Sequence, residues 1–188
     1  MLTQILLLIV DTVCGLLTLT LLARFTLQGV RASFRNPLGH FVIAVTDWAV
    51  RPARRLIPGL LGFDLATLLL AWLTQVVALG VAWALAAIFG AVSPAPIFTM
   101  LALALAATVK LAIYLLIGVV LASAIFSWVN PHAPLADVCD AVSRPLLRPF
   151  RRFIPPLGGV DLSPLALLLV LQIGLMLLER LRFFFIAP

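Results

Sequence analysis

Residues 51–58 have the sequence RPARRLIP and residues 148–155 have RPFRRFIP, the same order of proline, paired arginine and proline at a spacing of 97 positions. Identities continue at that spacing into the apolar stretch that follows each motif. They are Gly62 with Gly159, Asp64 with Asp161, Leu65 with Leu162 and Gln75 with Gln172. Self-similarity at a fixed period is the signature of a duplicated structural unit. The sequence therefore predicts two repeats, over residues 1–92 and 97–188.

The composition places both repeats in a membrane. Of the 188 residues, 64% are apolar and only 11% are charged, and the mean hydropathy is +1.22. A water-soluble domain of this size needs a polar surface that such a composition does not supply. A bilayer removes that need and asks instead for about 20 apolar residues per helix. We therefore predict an integral membrane protein.

Four apolar stretches are long enough to span a bilayer, and each is predicted to be helical because lipid offers the backbone no hydrogen-bond partners. They cover residues 2–23, 63–92, 110–129 and 162–178. The third is preceded by apolar residues 97–109, for which a helix extension and a shallow re-entrant segment are both open. The predicted fold is an all-α membrane protein with four transmembrane helices in two parallel span–connector–span repeats.

The segments that join the spans differ sharply in charge. Thirteen basic residues, twelve of them arginine, face seven acidic ones, and ten of the thirteen lie in the connectors at residues 24–61 and 130–159. Positively charged loops remain in the cytoplasm. We therefore predict cytoplasmic connectors with both termini outside. We therefore expect the net charge of +6 to favour binding to anionic lipid headgroups, and not to nucleic acid.

Each connector contains an amphipathic segment before its arginine motif, which predicts a helix lying in the headgroup plane. The apolar positions are Leu38, Phe41, Val42, Val45 and Trp48 in the first and Leu135, Val138, Cys139, Val142 and Leu146 in the second. Asn36 and Pro37 are expected to open the first helix. Prolines are expected to end both helices. These are Pro52, Pro58, Pro145, Pro149, Pro155 and Pro156.

Two acidic residues precede connector arginines by the four-residue spacing that brings side chains together on one face of a helix. Asp47 precedes Arg51 by four residues and Asp140 precedes Arg144 by four, a spacing that suits ion pairs on a helix surface. Both pairs are therefore expected within the amphipathic helices.

The arginine motifs are the first candidates for a functional surface. Their side chains are Arg51, Arg54, Arg55, Arg148, Arg151 and Arg152. Two interpretations stay open: the arginines bind a specific acidic lipid or acidic partner segment, or they only orient the spans. Asp64 and Asp161 precede the following spans. A carboxylate there is expected to cap the helix, and an ion pair back to the arginines of the same repeat is compatible with that role.

Four polar side chains fall within or at the edge of the spans. A polar group at membrane depth is costly, so it indicates function or pairing between helices. We expect Lys110 near the outer interface, paired with Asp11. Gln75 is expected to form a hydrogen bond with Gln172 across the pseudo-two-fold axis. A small, oligomeric channel that uses these groups is the alternative function.

The second repeat resembles the YggT family, whose chloroplast and Gram-positive relatives include the YlmG proteins. The resemblance rests on Ser143, on PLLRPFRRFIP at residues 145–155 and on GGVDLSP at residues 158–164. The first copy is more degenerate, with Trp48 in place of the motif proline and DLAT at residues 64–67. The resemblance implies a multi-pass protein of the bacterial inner (plasma) membrane, linked to osmotic or envelope-stress tolerance, cell division or assembly of membrane complexes.

Patterns that carry enzyme chemistry are missing from the sequence. There is no glycine-rich phosphate loop, no HExxH and no nucleophile elbow. The two histidines and two cysteines, His40, His132, Cys14 and Cys139, lack metal-ligand spacing. We predict no enzyme and no metal or cofactor. The predicted function is a membrane scaffold or assembly factor whose interfacial helices bind lipids, partner membrane proteins or further copies of the chain.

Overall fold

The computed structural model describes residues 1–57, 64–88, 96–130, 133–154 and 161–186. Six α-helices lie in these ranges. They are α1 (Leu2–Gly29), α2 (Pro37–Leu56), α3 (Leu65–Ile88), α4 (Ile97–Val129), α5 (Ala136–Phe153) and α6 (Ser163–Ile186). Helices α1, α3, α4 and α6 are long and apolar enough to cross a membrane. The all-helical fold with four spans is confirmed.

Some sequence predictions fall outside the described residues. They concern Pro58, Gly62, His132, Pro155, Pro156 and Gly159.

Each repeat builds the same unit of span, interfacial helix and span. Helix α2 packs on α1 and α3, and α5 packs on α4 and α6. Val50 of α2 shares a buried apolar cluster with Leu21 of α1. Leu147 of α5, 97 positions later, shares one with Val120 of α4 and Leu167 of α6. Burial of apolar surface thus anchors each interfacial helix to its own pair of spans.

The spans extend beyond the boundaries that hydropathy predicts. Helix α1 continues to Gly29, so Arg24 and Gln28 lie on its last turns and not in a connector. Helix α4 is continuous from Ile97 to Val129, which makes residues 97–109 a helix extension. Its 33 residues give a length of about 50 Å at the usual rise per residue.

Three prolines that were expected to end the interfacial helices lie inside them. Pro52 is within α2, and Pro145 and Pro149 are within α5, so this prediction is wrong. All three prolines are exposed. Proline removes one backbone N–H from the helix ladder. On the exposed side of an interfacial helix, water and headgroups replace the lost partner.

The two interfacial helices end at equivalent positions, and the C-cap residue of each directly precedes a proline in the sequence. Ile57 has φ −122° and ψ 100°, and Ile154 has φ −115° and ψ 99°. A following proline disfavours the helical region and pushes the preceding residue to such extended values. At the other end of α2, the side chain of Asn36 accepts the N–H of Gly39 at 2.7 Å, which confirms it as the N-cap.

The apolar positions of α2 do not all face the spans. Val42, Thr46 and Val50 are buried, whereas Phe41 and Trp48 are 56% and 69% exposed. The two aromatic residues therefore lie on a flank turned away from the bundle, where an aromatic ring at headgroup depth is favourable. The single apolar face predicted for this helix is corrected to two.

The apolar face of α5 is close to the predicted one. Val138, Cys139 and Val142 are buried. Leu147, and not Leu146, takes the deepest position of the final turns.

The two repeats do not pack on each other symmetrically. Helix α3 contacts α4, but over the ranges that the structure covers α6 has no equivalent contact with α1. Helix α1 touches α5, while the described part of α2 does not touch α4. One side of the α1–α4 interface is therefore left open.

Candidate functional site

Of the paired arginines of the first repeat, Arg54 forms an ion pair and Arg55 forms none among the described residues. Arg54 donates from Nε and Nη2 to Oδ2 of Asp64 at 3.0 and 2.6 Å. Oδ1 of Asp64 accepts the backbone N–H of Thr67 at 3.3 Å, and Oδ2 accepts the Thr67 hydroxyl. Asp64 thus makes the bonds of a helix N-cap and ties the end of α2 to the start of α3. Arg55 is exposed.

The second repeat has the same arrangement. Arg151 donates from Nε to Oδ2 of Asp161 at 2.8 Å, and Oδ1 of Asp161 accepts the backbone N–H of Ser163 at 2.9 Å. Arg152 is exposed. Each ion pair joins residues ten positions apart, and the two pairs are 97 positions apart in sequence. We call the pairs Arg54–Asp64 and Arg151–Asp161 the latches.

The surroundings of the latches favour ionised carboxylates. Burial by itself raises the pKa of Asp64, but the hydrogen bonds from Arg54 and Thr67 outweigh it and hold the pKa below its ordinary value. Burial also raises the pKa of Asp161, and the bonds from Ser163 and Arg151 again produce a net lowering.

Acid is expected to release both latches. A carboxyl whose pKa is lowered by folding contributes its full stabilisation above its unfolded pKa, about 4, and loses it as the pH falls through the folded pKa. We expect the thermal midpoint of the detergent-purified protein to be steady from pH 7 to 5 and to fall below pH 4. In the double variant Asp64→Asn/Asp161→Asn the fall should be smaller, and the fall that remains should come from Asp47, whose pKa is also lowered by ion pairs. A fall as large as in the wild type would contradict the latch assignment.

The latches differ in what lies beside them. In the first repeat, the amide of Gln28, with its nitrogen toward Asp64, donates to Oδ2 at 3.0 Å and accepts from Nη2 of Arg54. Helix α1 thereby joins the first latch. Beside the second latch is a cavity of about 420 Å³ that is lined in part by Arg151 and Asp161.

Arg24 forms a buried ion pair that the sequence analysis does not single out. Its side chain is 6% exposed, and Nη1 lies 2.9 Å from Oδ1 of Asp47. The same Nη1 donates to the hydroxyl of Thr46 at 2.7 Å. Asp47 also pairs with Arg51 at 2.6 Å, as its spacing predicts. Burial raises the pKa of Asp47, and the bonds and charges of Arg24 and Arg51 lower it below its ordinary value.

The second repeat replaces this buried cation with a neutral contact. Ser143, 97 positions after Thr46, is buried and donates to Oγ of Ser123 on α4 at 3.0 Å. Arg144 pairs with Asp140, as the spacing predicts. The link between the first span and the interfacial helix is thus ionic in one repeat and neutral in the other.

Lys110 does not pair with the predicted partner. Its Nζ donates to Oε1 of Glu179 on α6 at 2.9 Å and lies 5.7 Å from the centre of the Tyr114 ring. The predicted partner, Asp11, lines the same cavity as Lys110. Helix α4 packs more extensively on α6 than on α1, so the pairing with Asp11 is corrected to one with Glu179. The helix rises about 28 Å from Lys110 to Val129, which places this ion pair near the membrane surface opposite the connectors.

Gln75 also has a partner other than the predicted one. Its Nε2 donates to Oγ1 of Thr18 on α1 at 2.9 Å, in a buried position. Gln172 is exposed on α6. The predicted Gln75–Gln172 bond across the pseudo-two-fold axis is therefore wrong, because α6 is displaced from the place that exact symmetry requires.

Comparison with known proteins places these two repeats in a family. A model described as CCB3/YggT matches residues 3–85 and 102–182, one segment per repeat. The chain belongs to the CCB3/YggT family. Protein PA0392 of Pseudomonas aeruginosa is 37% identical over 167 residues, which cover 88% of this chain and 83% of the relative. YggT of Escherichia coli K12 is 36% identical over 167 residues, covering 88% of this chain and 84% of the relative.

One plant relative shares a shorter segment with this chain. YlmG homolog protein 2, a chloroplastic protein of Arabidopsis thaliana, is 56% identical over 39 residues, which cover 21% of this chain and 14% of the relative. No solved structure matches this chain. The resemblance drawn from the arginine–proline motif is confirmed, and the chain is a multi-pass membrane protein with bacterial homologues.

Proposed function

We propose that this YggT-family protein is a non-enzymatic membrane scaffold whose connector side binds anionic groups, either the headgroups of acidic lipids or acidic segments of partner membrane proteins. One observation carries the proposal: in both repeats the first arginine of the pair is held in a latch, whereas the second is exposed and has no ion pair among the described residues. Arg55 and Arg152 are the exposed members.

The latches give the exposed arginines a fixed direction. The orientation of the spans depends only on how many basic residues lie on each side of the membrane, so it does not require any arginine side chain to point in a fixed direction. Each latch ties an interfacial helix to the following span, and together with the buried contacts of Val50 and Leu147 it opposes rotation of the helix about its own axis. Arg51 and Arg55 then project from one side of α2, and Arg148 and Arg152 project from one side of α5, since both pairs are four residues apart. A planar guanidinium held in place suits bidentate binding of phosphate or carboxylate.

The second repeat offers the stronger anion-binding surface. Arg51 shares Asp47 with Arg24. The equivalent Arg148 is exposed and has no ion pair among the described residues. We therefore assign the higher affinity for anionic groups to the surface of α5.

The proposal places the connector side in the cytoplasm. Nine of the thirteen basic residues lie in the two segments between paired spans, and Arg24 lies on the last turns of α1 on the same side. The cytoplasmic leaflet carries the anionic lipids that attract such segments. Accessibility of single cysteines, introduced on α2 and α5 of a variant that lacks Cys14 and Cys139, tests this in intact cells. Labelling of α2 and α5 by an impermeant reagent from outside would reject the cytoplasmic assignment.

Neutralising the exposed arginines tests the scaffold itself. In vesicles that contain brominated phosphatidylglycerol or brominated phosphatidylcholine, tryptophan quenching reports the relative association of each lipid, and Trp48 lies exposed on α2. We expect the preference for phosphatidylglycerol to fall about fivefold for each of Arg55→Gln and Arg152→Gln, since one arginine near an anionic surface contributes about 1 kcal/mol. Arg180→Gln, an exposed arginine of α6, is the matched control.

The two classes of anionic partner give different results. If lipid preference persists in Arg55→Gln/Arg152→Gln while cross-linked membrane proteins are lost, acidic protein segments are the ligand. If neither changes while the variant is stable and correctly inserted, the scaffold proposal is wrong. Growth of bacteria that lack the chromosomal copy, under osmotic and envelope stress, then shows whether the same arginines support the processes that the family resemblance implies.

A further inference from the structure

A groove runs along the open side of the α1–α4 interface. Two cavities form it, one of about 690 Å³ and one of about 400 Å³. The same face of α4 lines both, through Lys110 and Tyr114 in the larger cavity and Tyr114 and Gly118 in the smaller. Tyr114 is therefore the point where the two cavities meet.

The two halves of the groove differ in polarity. The larger cavity, on the side opposite the connectors, is lined by Gln4, Asp11, Gln75, Lys110 and Arg182 among apolar residues. The smaller cavity lies under α5 and is lined almost entirely by apolar residues, among them Leu19, Val119 and Val138. A polar end near one membrane surface and an apolar end that continues past the membrane centre to α5 match the shape of an amphiphile.

Two charged groups in the polar half are not fully paired. Nε of Arg182 is buried and makes no hydrogen bond, and the charge of Arg182 shares the single carboxylate of Glu179 with Lys110. Asp11 is exposed and, among the residues that the structure describes, has no ion pair. Buried polar atoms are normally satisfied, and a carboxylate at membrane depth is costly without a partner. Both groups therefore indicate a ligand that carries an anion for Arg182 and a cation for Asp11.

We propose that the groove binds one zwitterionic phospholipid from the leaflet opposite the connectors. Arg182 and Lys110 hold the phosphate; the Lys110 ammonium has three donors and gives one to Glu179. Asp11 faces the headgroup ammonium. One acyl chain passes Tyr114 and enters the apolar cavity beside Gly118.

The groove is long enough for one acyl chain of this ligand. Helix α4 rises about 18 Å from Lys110 to Ala122, and one leaflet of the hydrocarbon core is about 15 Å thick. An ion path is disfavoured by the same geometry. An ion that entered the apolar half would lose its hydration shell without gaining replacement ligands.

Filling the apolar cavity tests the acyl-chain site. A Cβ placed on Gly118 meets no atom within 4 Å, so the ring of Gly118→Phe can enter the cavity without moving the backbone. Leu121→Phe is the matched control, because Leu121 lies on the same helix, is 44% exposed and does not line the groove. Native mass spectrometry of protein released from vesicles of equal phosphatidylethanolamine and phosphatidylglycerol counts the retained lipid. We expect about fivefold less retained lipid for Gly118→Phe and no change for Leu121→Phe.

Changing the charges tests the headgroup site in the same vesicles. Asp11→Asn should shift the retained lipid from phosphatidylethanolamine to phosphatidylglycerol, because the partner of the ammonium is lost while the phosphate contacts remain. Arg182→Gln should lower retention of both lipids. Unchanged retention in Gly118→Phe, or an unchanged lipid ratio in Asp11→Asn, would overturn the proposal. Potassium or proton flux through the vesicles that Gly118→Phe blocks would also overturn it in favour of a channel.

The groove does not depend on the scaffold proposal. In an Arg55→Gln/Arg152→Gln background, Gly118→Phe should remove the same amount of retained lipid as in the wild type, because these arginines lie at the other membrane surface.

Discussion

Replacing Gly39 with alanine is expected to destabilise the protein by roughly 3 kcal/mol. A Cβ on Gly39 would lie 2.5 Å from the carbonyl oxygen of Phe34 and 2.7 Å from its Cα. These are backbone atoms, so they cannot rotate away as the end of a side chain can. The segment before α2 would have to move. That movement would break the hydrogen bond from the Gly39 N–H to Oδ1 of Asn36, which caps the helix.

Two other helical glycines provide the control. A Cβ on Gly15 or Gly118 meets no atom within 4 Å, and alanine has the higher helix propensity. Gly15→Ala and Gly118→Ala should therefore match or slightly exceed the stability of the wild type. Thermal unfolding in mild detergent measures all three variants. A midpoint for Gly39→Ala within the range of the controls would show that the Phe34 backbone yields without cost.

Arg24→Met is expected to have a similar effect, a loss of about 2–4 kcal/mol. Methionine keeps much of the apolar stem but removes the guanidinium from a site where the arginine side chain is 6% exposed and Asp47 is 20% exposed. Removal of one partner leaves the other charge buried and incompletely paired. Arg51 still bonds Asp47, but its side chain is 78% exposed, so solvent weakens that pair and it compensates only in part.

A double-mutant cycle separates the ion pair from simple loss of packing. Arg24→Met/Asp47→Leu removes both charges, so it should recover a large part of the stability lost in Arg24→Met alone. Arg51→Met is the control, with an expected loss of no more than about 0.5 kcal/mol because that pair is solvated. If the double variant is as unstable as the sum of its single variants, the Arg24–Asp47 pair is not the cause.

The repeat made the latches predictable from sequence. Once two copies are aligned at 97 positions, Arg54 and Arg151 stand in the same register to Asp64 and Asp161. A carboxylate before a span has a local reason to cap it. Local rules also predicted Asn36 as the N-cap and Asp47 as the partner of Arg51, since each contact lies within four residues.

Contacts between distant parts of the chain were not predictable in the same way. Arg24 reaches Thr46 across 22 residues, and Lys110 reaches Glu179 across 69. Charge and spacing do not identify such partners, because the choice depends on which spans are neighbours. For Gln75 the pseudo-two-fold symmetry gave the wrong partner, because α6 does not repeat every contact of α3.

Rules calibrated on the interior of proteins also failed at the membrane interface. Proline was expected to stop α5 at Pro145 because a buried helix loses a hydrogen bond there. An exposed position replaces that bond with solvent or headgroups, and the helix continues to Phe153. The environment also explains why Trp48 follows the apolar periodicity of α2 and yet is exposed in the structure. At the membrane interface its ring can pack against lipid and not only against protein.

The unequal roles of Gln75 and Gln172 follow from having both repeats on one chain. In a two-fold homodimer, identical subunits present the same patch to each other, so any substitution appears on both sides of the interface at once. A tandem duplication lifts that constraint. One half can keep a buried bond to Thr18 that holds the bundle together, while the matching position in the other half is exposed and free to change. In the fused chain, one copy of the repeat can thus stabilise the bundle while the equivalent position in the other copy is available for recognition.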